Sequence, residues 1–272
     1  MKPAPFAYLR PGSLTDAVAA LAGDPGAKVL AGGQSLVPLL SMRLAAPSLL
    51  VDINGLPDLD AIEADGDGVR IGALARHADV LASPDVRRVQ PLVSLALAHV
   101  AHATIRNRGT TVGSLVHADA AAEMPVVLTL LGGSLDVEGT GGRRTIPAGE
   151  LYVGPLESSV RHDEIAVSAF FPALGPGAGV AFDEIARRHG DYALVGAAAL
   201  VDGDSVQVGY LSVADVPTVV DLSGVAEDRL GDVALEQLEP GDDIHASAAY
   251  RAQLVRVLTA RVVRSAREGS RS

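Results

Sequence analysis

The hydrophobic pattern from Lys28 to Ile53 reads as strand, glycine turn, helix, strand. Lys28–Ala31 is a short apolar run, broken by Gly32-Gly33-Gln34-Ser35. Leu36, Leu39, Leu40 and Leu44 then fall on one helical face until Pro47 ends the helix, and Leu49–Ile53 is a second apolar run. A glycine pair between a strand and a helix lets backbone approach a ligand closely, and the free N–H groups at a helix start favour an anion. The stretch is neither a P-loop, since no Lys follows the glycines, nor a G-x-G-x-x-G motif.

Short elements continue on either side. Phe6–Pro11 reads as a strand closed by proline. Ser13 reads as the N-cap of a helix to about Ala22, with Asp16 at the third helical position. Asn54-Gly55-Leu56-Pro57 breaks the pattern and sets a boundary after residue 54. Val69–Leu74 is the next strand, His77–Ala82 a helix, and Pro91 opens an apolar helix to Val100. Ile105–Gly109 reads as a turn-rich link, and Thr110-Thr111-Val112-Gly113-Ser114 as a second small-residue turn rich in donors. A helix from Ala120 to Leu131 follows, ended by Gly132-Gly133. Strands are predicted at Ser134–Val137, Arg143–Ile146, Glu164–Phe171 and Gly179–Ala186. Gly175–Gly179 reads as a linker, so the chain divides into residues 1–54, 55–175 and 176–272. In the last unit Ala193–Val201 and Val206–Val213 flank Asp202-Gly203-Asp204, a hairpin signal. Val219–Leu222 is a weaker strand and Ala226–Leu238 a helix. A last helix starts at Gly241–His245, with Tyr250, Leu254, Val257, Leu258 and Val262 on one face and a frayed tail, Arg267–Ser272.

Composition narrows the function classes. At 48% hydrophobic residues the chain can bury a substantial core, yet no unbroken apolar run reaches the ~18 residues of a membrane span. The opening MKPAPFAYLRPGS lacks an apolar h-region, so the expected location is cytoplasmic. A net charge of −11 leaves no basic surplus for nucleic-acid phosphates. With no cysteine, the chain holds no disulfide, thiolate zinc site or cysteine-bound iron–sulfur cluster of its own.

Thr104–Glu123, TIRNRGTTVGSLVHADAAAE, resembles the R-N-R-G-T-x-G-G-S-x-x-H-A-D-P-x-x-E stretch of the FAD-binding subunit of molybdenum hydroxylases, a family that includes the carbon monoxide dehydrogenase medium subunit and the xanthine dehydrogenase flavin domain. Other matches follow in order: the opening Phe6–Leu14, AGGQSL at Ala31–Leu36, LVDIN at Leu50–Asn54, Arg187–Ala193 against R-x-x-G-D-[YWF]-A, and Asp243–Arg251 against D-I-H-x-S-x-x-Y-R. The resemblance implies an α+β chain. It would have the two-subdomain FAD-binding fold of the vanillyl-alcohol oxidase and p-cresol methylhydroxylase type, then a smaller C-terminal α+β domain. It also implies that Ala31, Gly32, Gly33, Gln34, Ser35 and Leu36 cradle one side of the FAD pyrophosphate, and that Thr110, Thr111, Gly113 and Ser114 hold the other. Glu123 matches an acidic cofactor contact, and Tyr192 an aromatic residue near the flavin ring. The implied partners are a molybdopterin-binding large subunit and an iron–sulfur small subunit in a hetero-oligomer, with electrons passing from the clusters through FAD to an external acceptor. No residue here would act as acid or base on the primary substrate.

Two departures stand out. Val112 replaces a family glycine, and a side chain there would narrow the backbone's approach to phosphate. It leaves a cofactor-free structural subunit as an alternative, beside a stand-alone FAD-dependent oxidoreductase. Ala120 replaces a proline and keeps a good helix former. His99, His102, His117 and Asp119 read as helix-end and turn polar groups rather than metal ligands. Ser35 lacks a nucleophile-elbow context and reads as a helix-start donor. Arg106 and Arg108 fit either a cofactor phosphate or a solvated turn. Tyr192 fits either packing or the flavin, and the last helix either core or a partner surface.

Overall fold

The structure is a computed structural model and describes residues 1–270. Strand β1 (Ala7–Leu9), helix α1 (Leu14–Gly23), β2 (Lys28–Leu30), α2 (Leu36–Met42) and β3 (Leu49–Asp52) form a three-stranded sheet in the order β1-β3-β2. Both pairings are parallel, so each connection crosses over through a helix. Ser13 caps α1 by accepting from the Asp16 N–H. The predicted four-leucine face of α2 is shorter than its spacing suggests. Arg43 ends the helix in the left-handed region (φ 60°), leaving Leu44 beyond it and 73% exposed.

The middle of the chain begins with β4 (Ile62–Ala64) and β5 (Gly68–Gly72), then α3 (His77–Ala82), α4 (Pro84–Val89), α5 (Pro91–Leu97) and α6 (Ala103–Arg106). Next come α7 (Thr111–His117), α8 (Glu123–Leu130), β6 (Ser134–Gly139), β7 (Gly142–Pro147), α9 (Ala148–Leu151), a small hairpin of β8 (Tyr152–Gly154) and β9 (Glu157–Ser158), and β10 (Ile165–Pro172). The five-stranded sheet β4-β5-β10-β6-β7 is antiparallel throughout. Two expectations need correction. Ile105–Gly109 is not all turn, because α6 takes its first residues. The small-residue stretch from Thr110 is not a turn but the start of α7, whose N-cap is Thr110. The next helix accordingly begins at Glu123 rather than Ala120.

The four-stranded antiparallel sheet β11-β12-β13-β14 consists of Gly179–Ala186, Ala193–Asp202, Ser205–Leu211 and Thr218–Asp221. A 3-10 turn (Glu227–Arg229), α10 (Leu230–Leu235) and α11 (Ala248–Gly269) complete it. Helix α11 starts later than predicted. Gly241–His245 is a loop, in which the Asp243 carboxylate accepts from the His245 and Ala246 N–H groups, and Ser247 is the cap. Leu254, Leu258 and Val262 are buried against the sheet, whereas Tyr250 and Val257 face solvent. The expected fraying does not reach Arg267–Gly269, which are helical; Arg271 and Ser272 lie outside the described residues.

Helix α8 joins the layer of α5 and α7 to the C-terminal sheet. It is apolar almost all round and buried along nearly its whole length, the pattern of an interior helix. One side meets α5 and α7, and the other meets β12 and β13, where Gly209 admits the Val126 side chain. Leu128→Ala on α8 should cost about 2–5 kcal/mol of unfolding free energy, and Val257→Ala on the exposed face of α11 less than about 0.5 kcal/mol. Urea denaturation of the two variants beside the parent chain checks this.

Candidate functional site

The two predicted glycine loops lie edge to edge. A Cβ on Gly32 would run into the Arg108 carbonyl, lie 2.8 Å from the Gly109 Cα and 3.0 Å from the Thr110 nitrogen, so only glycine fits this crossing. Gly33 is left-handed (φ 73°) and turns the chain into α2. The N–H groups of Gly33, Gln34 and Ser35 have no acceptor among the described residues, while the Gln34 side chain donates to the Gly32 carbonyl at 3.0 Å. Ala31, Ser35 and Leu36 are half-buried beside them.

The second loop spends more of its groups on itself. The Thr110 hydroxyl accepts from Gly113 N–H at 3.1 Å, and a Cβ on Gly113 would stand 2.5 Å from that oxygen. Thr111 is fully buried, and its hydroxyl meets His77 Nδ1 at 3.2 Å. Thr110 is 3% exposed and spends a lone pair of its hydroxyl on the helix cap, while the Thr111 hydroxyl is turned to His77. The Ser114 hydroxyl is half-buried and without a partner among the described residues. Val112, the departure from the family glycine, is 2% exposed and belongs to the core. Its side chain does not stand in an open cleft.

A clasp that the sequence did not reveal locks the loops together. Arg76 donates from one guanidinium nitrogen to the Arg108 carbonyl and from the other to Asn54 Oδ1, both at 2.7 Å. Asn54 Nδ2 donates in turn to the Ala31 carbonyl at 2.8 Å and to Asp52, which also accepts from the Tyr8 hydroxyl. Asn54 stood in the LVDIN match, but nothing in the spacing paired it with Arg76. Of the two nearby arginines, Arg106 donates to the Val100 and Ala101 carbonyls at 2.8 and 3.0 Å, and Arg108 is exposed.

Glu123 and Tyr192 come from elsewhere and lie near one another. Glu123 opens α8, is 7% exposed, and is pushed up to about 8 by burial and then by the Glu184 carboxylate. Tyr192 is 58% exposed, against the packing alternative, and its hydroxyl is raised by desolvation and by Asp119. The Arg187–Ala193 turn packs its Gly190 (φ 85°) against the His102 ring. A cleft of about 690 Å³ opens beside it, with Asp119, Tyr192, Ser212, Asp243 and Arg251 in its wall. Arg251 is buried and donates to the Leu194 and Ser212 carbonyls and to Asp243, which fixes the strand end next to Tyr192.

Two crossing glycine loops, one with unspent N–H donors and neither with a lysine, define a protein that holds a phosphate-bearing cofactor through its backbone. Residues 4–174 match the family described as "FAD binding domain in molybdopterin dehydrogenase", and residues 180–266 match the "CO dehydrogenase flavoprotein C-terminal domain". The chain belongs to the FAD-binding subunits of the molybdenum hydroxylase family, and its cofactor is FAD. It is similar to the 6-hydroxypseudooxynicotine dehydrogenase complex subunit alpha of Paenarthrobacter nicotinovorans, at 41% identity over 98% of this chain and 96% of that one. It is also similar to the carbon monoxide dehydrogenase medium chain of Hydrogenophaga pseudoflava, at 32% identity over 98% of each. The quinoline 2-oxidoreductase structure from Pseudomonas putida 86 superposes with a TM-score of 0.92 at 36% identity over 100% of both chains. The mixed helix-and-sheet fold matches that of a carbon monoxide dehydrogenase from H. pseudoflava with the same TM-score, 0.92, at 30% identity over 98% of each chain. No helix of the described residues is long and apolar enough to cross a membrane.

Arg76→Met removes both arms of the clasp and should lower FAD retention at least about tenfold while the chain stays folded. Equilibrium titration with FAD, beside far-UV circular dichroism, checks this. His77 is 4% exposed, and burial, then Arg106, pushes it from 6.5 down to about 4. A depressed histidine keeps its stabilisation above the unfolded value and loses it as pH falls through the folded one. About 3 kcal/mol should therefore disappear between pH 6.5 and 4 in the parent chain but not in His77→Asn, measured as the difference between their urea midpoints.

Proposed function

We propose that the chain is the electron-transfer subunit of a three-chain molybdenum hydroxylase, receiving electrons from a partner's iron–sulfur clusters and passing them to an external acceptor. The observation that carries the reading is the crossing of the two glycine loops at Gly32, next to the unspent N–H groups of Gly33, Gln34 and Ser35. Bound FAD supplies the redox chemistry, accepting electrons singly and releasing them in ones or twos. The chain's own residues position it. In this reading Ala31–Leu36 hold the pyrophosphate by backbone N–H groups, and Gly113 and Ser114 approach from the other side, with Thr110 and Thr111 shaping that loop. Glu123 and Tyr192 face the remainder of the cofactor. The cysteine-free composition fits this division of labour, since the clusters must then lie in another chain.

The same reading assigns residues 1–54 and 55–175 to the two subdomains of a vanillyl-alcohol oxidase-type fold, and residues 176–272 to the C-terminal domain. The parallel sheet, the five-stranded antiparallel sheet and the four-stranded sheet support that division. The relatives' names, a "complex subunit alpha" and a "medium subunit", support a hetero-oligomer with a large molybdopterin-binding and a small iron–sulfur chain. We place the assembly in the cytoplasm. The burial of Val112 in the core weighs against the cofactor-free alternative.

The purified chain, after addition of FAD and desalting, should show flavin absorption bands that bleach with a chemical reductant. A folded chain that stays colourless, alone and with its partner subunits, would overturn the reading.

A further inference from the structure

The segment Asp243–Arg251 has no part in the proposed function, yet its arginine sits in the wall of the cleft beside Tyr192. Strand β12 carries a β-bulge there. Ile185 pairs with Val195 and Ala186 with Ala193, so Leu194 is an extra residue in the ladder. On the other edge of β12 the ladder to β13 ends at Gly196 and Leu211, and the next residue, Ser212, is left-handed (φ 61°). Each break leaves a backbone carbonyl outside the ladder, and a carbonyl so placed needs another donor. Arg251 supplies both. Its Nη1 donates to the Leu194 carbonyl at 2.5 Å and to the Ser212 carbonyl at 2.9 Å, and its Nη2 donates to Asp243 at 2.5 Å. Arg251 is 6% exposed and lies in the first turn of α11, where its N–H donates to the Ser247 carbonyl. Asp243 is held as well, accepting from the His245 and Ala246 N–H groups at 2.8 Å. The Ser212 N–H donates in turn to the carbonyl of Ala120 at 2.9 Å, three residues before Glu123.

We propose that Arg251 is a positioning residue for the flavin end of bound FAD, fixing Tyr192 through the Leu194 bulge and Glu123 through the Ser212 turn. This rests on the reading above, in which Tyr192 and Glu123 face the cofactor. Tyr192 is 58% exposed, so its own packing does not hold it. It stands two residues before the extra residue of the bulge, and a bulge re-aims the side chains beside it. Glu123 is reached from the other strand, by way of the Ser212 N–H and the Ala120 carbonyl. One planar fork thus gives a common anchor to two side chains from separate parts of the chain. The arrangement is costly. Ser212 is left-handed without being glycine, and its hydroxyl and Arg251 Nε are buried with no hydrogen-bond partner among the described residues. Costs of this kind persist where placement matters more than stability. Two guanidinium groups then divide the cofactor between them: Arg76 holds the loops at the pyrophosphate, and Arg251 holds the side chains at the ring.

Equilibrium titration of the full chain with FAD and with ADP separates the two ends, since ADP carries the pyrophosphate but no flavin. Arg251→Lys keeps the charge and loses the fork. It should weaken FAD by about tenfold or more and ADP by less than about twofold. A second pair of variants leaves Arg251 in place. Ser212→Val disfavours the left-handed turn and Ser212→Gly favours it, so the valine variant should bind FAD at least about tenfold more weakly than the glycine variant. In the chain without FAD, hydrogen exchange at the Ser212 amide should quicken by about tenfold or more in Arg251→Lys, with rates in the five-stranded sheet as in the parent. Equal losses for FAD and ADP, or faster exchange throughout the chain, would be general loosening and would overturn the positioning role. FAD affinity that survives Arg251→Lys would overturn it too, and would leave the functional reading standing. A parent chain that binds no FAD, alone or with its partner subunits, overturns that reading, and the role of Arg251 falls with it.

Discussion

A single guanidinium ties the first loop to the second. Arg76 reaches the Arg108 carbonyl with one arm and Asn54 with the other, and Asn54 hands the connection on to Ala31 and Asp52. Loop backbone carbonyls are ordinarily left to water, which holds nothing in place. Here the Arg108 carbonyl is fixed by a charged donor whose planar fork also takes Asn54 Oδ1, and the Ala31 carbonyl is fixed by the Asn54 amide. The crossing at Gly32 gains its rigidity from this arrangement, since glycine permits close approach but does nothing to enforce it. The free N–H groups at Gly33–Ser35 can then point in one direction without a side chain to orient them.

The second loop shows how a small-residue motif works when its hydroxyls are turned inward. Thr110 caps α7 and Thr111 anchors it to His77, which is itself held by the Gly109 carbonyl through its backbone N–H. Val112 and Leu115 fill the core beneath. Side chains thus fix the loop from behind, and its outward face is left to backbone and to Ser114. A valine in place of the family glycine is accommodated because that position points into the protein.

The elements with strong local signals were legible in the sequence. Ser13 caps α1, His77–Ala82 is a helix, and Asp202-Gly203-Asp204 turns the hairpin of β12 and β13, with Gly203 left-handed. The N-terminus of α7 was not legible, because Thr-Thr-Val-Gly-Ser has poor helix propensity and is held helical by tertiary contacts with Ala75 and His77. Helix α4 was missed although Ser83 and Pro84 form a good start signal, and the two-residue strand β9 is too short to leave a pattern. In the site, both glycine loops could be read, since each is contiguous. Arg76 with Asn54, and Glu184 with His99, could not: these are meetings of residues distant in the chain, and no periodicity encodes them.

The burial of α8 between α5 and α7 on one side and the C-terminal sheet on the other bears on how the chain is made. Ala193, Ala198 and Leu211 of the C-terminal sheet belong to the same core as Val126 and Leu128. A ribosome that has released only the first 175 residues has therefore delivered an unfinished interior, with one flank of α8 still open to solvent. Such a half-covered apolar surface is what chaperones recognise and what aggregates when left unattended. The last strands to emerge close the core of the first, so the cofactor half and the C-terminal half are sequential in synthesis but joint in completion.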